Sequence, residues 1–326
     1  MKAAVFEDVK KIKFYEDYPK PEIGPDDALV RVKYCGVCGS DIHNFKNKMY
    51  QTPLIMGHEL SGIIEEVGSN VEGFNVGDKV SGINVKLDLN EGNLGGLGIF
   101  EDGGFAEYVR IPKRYLFHIP SNISLKGGVM IESFANAMRA MKISQIGLNE
   151  RIMIIGGGNI GLCFLNALKV AKNPEYIIVI EPHQFLREKA VEMGANDSFP
   201  PSKSKIKRFI RKKGAPSYIF DCVGVGETLM LGVDLIERGG TILIEGIHKG
   251  TVEFPLFMIN SKEITLHGSL GHDRDDILAA IKLISEKNIE VEKLISKEVS
   301  LEDLHDTFMI FLNQQKRDFI KIIAKM

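Results

Sequence analysis

Residues 151–181 constrain the fold more than any other stretch. Arg151-Ile152-Met153-Ile154-Ile155 is a nearly continuous apolar run of the kind a strand buried on both faces requires. It runs into Gly156-Gly157-Gly158-Asn159-Ile160-Gly161, after which 162–171 carries helical spacing and Tyr176–Ile180 reads as a second buried strand. A G-x-G-x-x-G string by itself is weak, because any glycine-rich turn satisfies it. Here it leaves a strand, opens a helix, and is followed by Glu181 at the end of the second strand, 20 residues after Gly161. That context is the dinucleotide-binding fingerprint: Gly156 turns tightly, Gly158 lets a pyrophosphate approach the backbone, and Gly161 lets helix and strand pack closely. The alternation continues through strands at 218–222, 241–245 and 264–268 and helices at 188–193 and 228–237, which predicts a parallel, doubly wound sheet.

The chain before this unit has a different period. Short alternating runs at 29–32, 62–67, Lys79–Ile83 and 106–111 are separated by Gly, Pro, Asn and Asp turns, which suits a partly open barrel or distorted sheet with little helix. The stretch 92–104 reads as a loop, and helical spacing begins after Ser124. At 326 residues, 44% apolar and 26% charged, the chain is long enough for two globular domains. A net charge of −2 gives no global field for nucleic acid or an anionic membrane. The uncharged run 152–168 spans 17 residues, carries four glycines and two Asn, and falls short of the roughly 20 apolar residues a membrane span needs. The opening MKAAVFEDVK places acids where a signal peptide needs an apolar core. Four scattered cysteines point to a reducing compartment and a cytoplasmic protein. The seven Lys and Arg of Lys203–Lys213 read as the solvated face of a helix, with a polyanion patch as the alternative.

The chemistry concentrates in residues 35–59. They hold two thiols (Cys35, Cys38), a hydroxyl (Ser40), an acid (Asp41), an imidazole (His43) and a second imidazole beside a carboxylate (His58, Glu59). Thiolate, imidazole and carboxylate are the ligands of Zn²⁺, and a catalytic site supplies three of them and leaves a position open. The alternative is a buried thiol at Cys38 and a satisfied turn histidine at His58, and the spacing does not decide. Cys35 and Cys38 also form a C-x-x-C pair, but the alternation over 30–34 suggests a strand that carries Cys35 into the core.

Cys38-Gly39-Ser40-Asp41 with His43, then Gly57-His58-Glu59, then VGSNVEGFNVGDKV at 67–80, in this order and spacing, resemble the zinc-dependent medium-chain dehydrogenases. The branch of sorbitol and threonine dehydrogenases is similar over essentially the whole chain. The resemblance implies an α/β protein: a β-rich GroES-like catalytic domain, 1–133 with 272–326, and a Rossmann domain, 134–271. It implies NAD as cofactor and oxidation of a secondary alcohol (a polyol, sugar alcohol or hydroxy amino acid) to a ketone. A zinc-free medium-chain reductase of activated double bonds and a non-enzymatic NAD-binding protein are the alternatives.

By the same resemblance, Cys38 and His58 hold the zinc, and Glu59 or Glu132 completes its shell. Asp41 backs a ligating histidine, and Ser40 and His43 relay the substrate's proton. Glu132 stands where relatives begin a Glu-Pro-Leu motif and where alcohol dehydrogenases proper have cysteine; here the sequence is Glu-Ser-Phe, and an exposed helix position is the alternative. Gly156, Gly158, Asn159, Ile160, Gly161, Glu181, Arg187 and Val223 are the expected cofactor contacts. An acid at Glu181 favours NAD, although relatives often place an arginine five residues after it, where this chain has Leu186, with Arg187 next. Relatives often carry four cysteines between 78 and 103 for a structural zinc; none is present, so one zinc per chain is expected. Residues 264–268 resemble the segment through which relatives pair into dimers or tetramers, and the tail through Phe319-Ile320-Lys321-Ile322-Ile323 is expected to complete the first domain. Phe45, Tyr50 and residues 94–100 are candidates for the outer substrate pocket.

Overall fold

Short runs that alternate between core and solvent build the first part of the chain from strands. In the computed structural model, which describes residues 1–85, 96–247, 251–254, 256–313 and 317–326, these are β1 (Ala3–Asp8), β2 (Lys11–Tyr15), β3 (Asp27–Gly36), β4 (Leu54–Ile55), β5 (Glu59–Val67), β6 (Lys79–Ile83), β7 (Tyr108–Pro112) and β8 (Leu116–His118). Helix α1 (Gly39–Asn47) interrupts them, and α2 (Leu125–Gly128) and α3 (Ile131–Ser144) follow. The nearly continuous apolar runs then become β9 (Arg151–Ile155), β10 (Tyr176–Ile180), β11 (Asp197–Phe199), β12 (Tyr218–Asp221), β13 (Thr241–Ile244) and β14 (Thr265–Gly268). Between them lie α4 (Asn159–Lys172), α5 (Gln184–Glu192), α6 (Lys203–Lys213), α7 (Gly226–Leu235) and α8 (Leu256–Lys262). The tail adds α9 (Arg274–Glu286), β15 (Ile295–Val299), α10 (Leu304–Asn313) and β16 (Lys321–Lys325).

The chain divides into two units, Met1–Glu132 with His272–Gln315 and Lys321–Met326, and Ser133–Gly271 with Lys316–Ile320. The first contains a three-stranded sheet, β2-β1-β4, and a seven-stranded sheet, β15-β16-β3-β5-β6-β8, with β7 also pairing β3. Its core gathers Phe6, Phe45, Phe105, Tyr115 and Phe308. Part of the tail joins this unit, with β16 antiparallel to β3 and parallel to β15, whereas Phe319 and Ile320, expected here with Lys321, group with the second unit.

The second unit is one parallel sheet in the order β11-β10-β9-β12-β13-β14. The order reverses at β9, and that switch point is where doubly wound sheets bind their ligands. The basic run forms α6, which buries Ile206 and ties Lys203 and Lys207 to Asp234 at 3.2 and 3.3 Å, the solvated face expected of it. No helix among the described residues is long and apolar enough to cross a membrane.

Candidate active site

Backbone register assembles the first cluster. Glu59 begins β5 opposite Gly36 on β3, and β16 places Ile323 on the other side of the same glycine. Lys321 reaches over Gly36 and pairs with the Glu59 carboxylate, the two side chains being 2% and 0% exposed. Gly36 has to be glycine, since a Cβ there would lie 2.7 Å from Lys321 Cε and would strike the carboxylate. Gly57, at φ +96°, turns the chain into His58; a Cβ on it would lie 2.6 Å from Cys35 Sγ. Cys38 caps the start of α1, where Asp41 Oδ2 accepts from its N–H at 2.9 Å.

These turns bring Cys38, His58 and Glu59 together, one ligand atom from each lying within 4.8 Å of the others. Asp41 Oδ1 faces His58 Nδ1 at 3.5 Å, the position from which a carboxylate orients a ligating imidazole. Burial opposes charge on His58, but Asp41 and Cys38 beside it hold its pKa well above the ordinary value; burial pushes Asp41 up. Glu59 Oε1 and His58 Nδ1 are buried and make no hydrogen bond among the described residues. A thiol, an imidazole and carboxylates sharing one desolvated spot is a donor set that fits a zinc ion. Cys35 does not join it: fully buried, its thiol pushed well up by burial, it belongs to the core.

Ser40 Oγ lies 3.4 Å from His58 Nε2. His43 follows three positions later on α1, so the two share a helix face, and both are partly exposed. Glu132, in the first turn of α3, is 8% exposed. It stands beside the group rather than in it: its charge helps raise the pKa of His58, while its Oε1 lies 3.9 Å from His272 Nδ1. His272 is 4% exposed, and burial lowers its pKa to about 4, so the imidazole is neutral. Neither Lys321 nor His272 carries a local sequence signal; only the fold brings them here.

The fingerprint glycines have three different reasons. Gly156 has φ +99°, and a Cβ on it would meet Val223 Cγ2 at 2.8 Å. A Cβ on Gly161 would collide with the Gly156 carbonyl oxygen. Gly158, the N-cap of α4, has an ordinary φ of −75°, and a Cβ there would meet nothing closer than 3.4 Å. The protein itself does not require glycine at 158, whereas a pyrophosphate against the backbone does, so the loop fits a dinucleotide. Asn159 anchors the first turn by donating to Ser133 Oγ at 2.8 Å, and Ile160 follows it, partly exposed. Glu181, 5% exposed, accepts from Gly157 N–H at 2.8 Å and from His183 N–H at 2.9 Å. Arg187 donates to the Glu181 and Pro182 carbonyls at 2.8 and 2.5 Å.

Of the outer-pocket candidates, Phe45 is corrected: it is fully buried, with its ring 5.2 Å from that of Phe308, in the core. Tyr50 is partly buried with its ring 6.1 Å from that of Phe100; within 94–100, positions 94 and 95 lie outside the described residues, and Leu97 is corrected like Phe45, being fully buried in the core.

Residues 24–121 match the Alcohol dehydrogenase GroES-like domain, and residues 159–286 match Zinc-binding dehydrogenase. An (R,R)-butanediol dehydrogenase of Bacillus subtilis is 30% identical, with 100% of this chain and 99% of that protein covered. A D-xylulose reductase of Saccharomyces cerevisiae is 29% identical over 87% of this chain and 86% of its own length. Two solved structures, each covering 100% of this chain and 99% of their own, superpose with a TM-score of 0.90: an Escherichia coli alcohol dehydrogenase complexed with NADH, 27% identical, and a zinc-binding dehydrogenase of Sinorhizobium meliloti bound to NADP, 29% identical. The chain therefore belongs to the zinc-dependent medium-chain alcohol dehydrogenases.

Proposed function

We propose that Cys38, His58 and Glu59 hold a catalytic zinc, and that with NAD this chain oxidises a secondary alcohol of the diol or sugar-alcohol class to a ketone. The observation that carries the reading is the convergence of those three donors in a chain that also has the glycine fingerprint. Zinc, when bound, acts as a Lewis acid that lowers the pKa of an alcohol, and NAD accepts the hydride. Cys38 and Glu59 supply negative charge to the metal, and Asp41 fixes the His58 ring. The first unit is then the catalytic domain and the second the dinucleotide-binding domain. The relatives' names, a butanediol dehydrogenase and a xylulose reductase, favour a substrate with neighbouring hydroxyls. Neither a zinc-free reductase nor a protein without chemistry accounts for the three converging donors.

Glu181 supports NAD over NADP, since a carboxylate accepts from a ribose 2′-OH and repels a 2′-phosphate. The test is a panel of secondary alcohols assayed with each cofactor by NADH or NADPH absorbance. Turnover of diols with NAD, abolished by a chelator, is the expected result; equal catalytic efficiency with NADP overturns the cofactor reading, and turnover that survives complete zinc removal overturns the metal.

Ser40 Oγ takes the alcohol's proton, and His43, on the same face of α1, exchanges it with solvent. Ser40→Ala is expected to lower turnover by roughly 10² or more, with zinc and NAD binding intact. His43→Ala should cost more at low pH than at high pH, because hydroxide replaces a proton shuttle. A pH profile parallel to that of the parent, at unchanged turnover, removes His43 from the relay.

The protein acts in the cytoplasm, where its four cysteines, none of them in a disulfide, stay reduced. It assembles through β14, the edge of the parallel sheet, where Leu266 and nearby Phe257 are 38% and 80% exposed. Sedimentation is expected to give a dimer or tetramer; a 36.3 kDa species alone at micromolar concentration refutes this.

A further inference from the structure

We propose that Arg317 is a further dinucleotide-binding residue, whose guanidinium supplies positive charge to the cofactor's pyrophosphate at the start of α4. The inference rests on the reading of 156–161 as a dinucleotide loop. That loop contains no basic residue, and the basic residues of α4 are Lys169 and Lys172 in its last turn. Backbone N–H groups and a helix terminus provide only partial positive charge, equivalent to about half a unit, against the full charges of a pyrophosphate. A cation delivered from elsewhere in the chain would meet the difference.

The tail delivers one. Residues 316–320 group with the second unit although the segments on both sides of them belong to the first. From the position a Cβ would take on Gly158, the three nearest atoms all belong to Arg317: Nη1 at 3.4 Å, Cζ at 3.8 Å and Nη2 at 3.9 Å. The guanidinium therefore lies over the one fingerprint glycine whose bareness the protein itself does not need. Its orientation is held from the tail, where Nη2 donates to the Ile320 carbonyl at 3.3 Å and Cζ stands 5.3 Å from the centre of the buried Phe319 ring. Burial pushes its pKa down, against the pull of Glu181, so the charge is poorly solvated and gains from an anion. A planar fork of donors suits phosphate oxygens better than a point charge does.

The test measures binding to the full-length, zinc-loaded protein by titration calorimetry, with NADH, NADPH, ADP-ribose and adenosine as probes. R317Q is expected to weaken NADH and ADP-ribose by about tenfold to a hundredfold, to leave adenosine within about twofold, and to keep the parent's melting temperature. R317K should fall between, keeping charge without the fork. Unchanged NADH and ADP-ribose binding overturns the proposal. Loss confined to NADPH overturns it in favour of a 2′-phosphate contact, and equal loss of adenosine with a lower melting temperature overturns it in favour of a merely structural tail anchor. If R317Q fails to fold, R317K decides by the same ratio of ADP-ribose to adenosine. A parent that binds no NADH would instead remove the dinucleotide reading beneath it.

Discussion

Cys38→Ser is expected to remove both the zinc and the activity. Serine keeps the shape of the residue that caps α1 but loses the soft thiolate, leaving His58 and Glu59 as two donors where a catalytic zinc takes three. Elemental analysis of the parent should give one zinc per chain, since no thiol stands between 78 and 103 for a second site. In Cys38→Ser it should fall below about a tenth of that, with kcat/KM reduced by roughly 10³ or more, the scale of a lost Lewis acid. Cys35→Ser is the control that separates the two members of the C-x-x-C pair. Cys35 is packed in the core and outside the donor group, so its replacement should lower stability while zinc content holds. Full zinc occupancy in Cys38→Ser would falsify the assignment.

The contrast between those two cysteines shows where sequence reasoning reaches. Strict alternation from Val30 and Val32 would put Cys35 on the face of Arg31 and Lys33; a register shift between Val32 and Tyr34 turns it inward, so its burial needs the pairing of β3 with β5, whereas the helix start alone places Cys38 at a cap. The fingerprint is legible because its residues follow one another through a single strand, turn and helix: Gly156 takes φ +99°, Gly161 packs on the Gly156 carbonyl, and Glu181 follows the adjacent strand and accepts from Gly157. Phe45 marks the limit. It lies near Ser40 and His43 in sequence, but a helix has two faces, and Asp41, Asn44 and Phe45 occupy the buried one. Lys321, Arg317 and His272 were missed because each depends on tail segments joining elements more than a hundred residues earlier. Within Phe319-Ile320-Lys321-Ile322-Ile323 a lysine looks like the solvent side of an edge strand, and only the register across Gly36 turns it onto Glu59.

That register leads to a pair of opposite effects from one substitution. In Lys321→Met the Glu59 carboxylate, 0% exposed in the parent pair, is left without its counter-ion. Removing one member of a buried ion pair costs about 3–5 kcal/mol, so the metal-free variant should melt on the order of 10 °C below the metal-free parent. Adding Glu59→Gln removes the stranded charge and should restore much of the loss, because a buried pair exchanged for neutral groups is often close to neutral. Zinc affinity should move the other way. In the parent, Glu59 is shared between the metal and the Lys321 ammonium, and that ammonium is also a like charge close to the metal. Its loss frees the carboxylate and removes the repulsion, so Lys321→Met should bind zinc about tenfold tighter or more, and zinc should raise its melting temperature further than it raises the parent's. Chelator competition measures the affinity and calorimetry the stability. A variant that is as stable as the parent without metal, or one that binds zinc more weakly, would show that Lys321 and Glu59 are not coupled in this way.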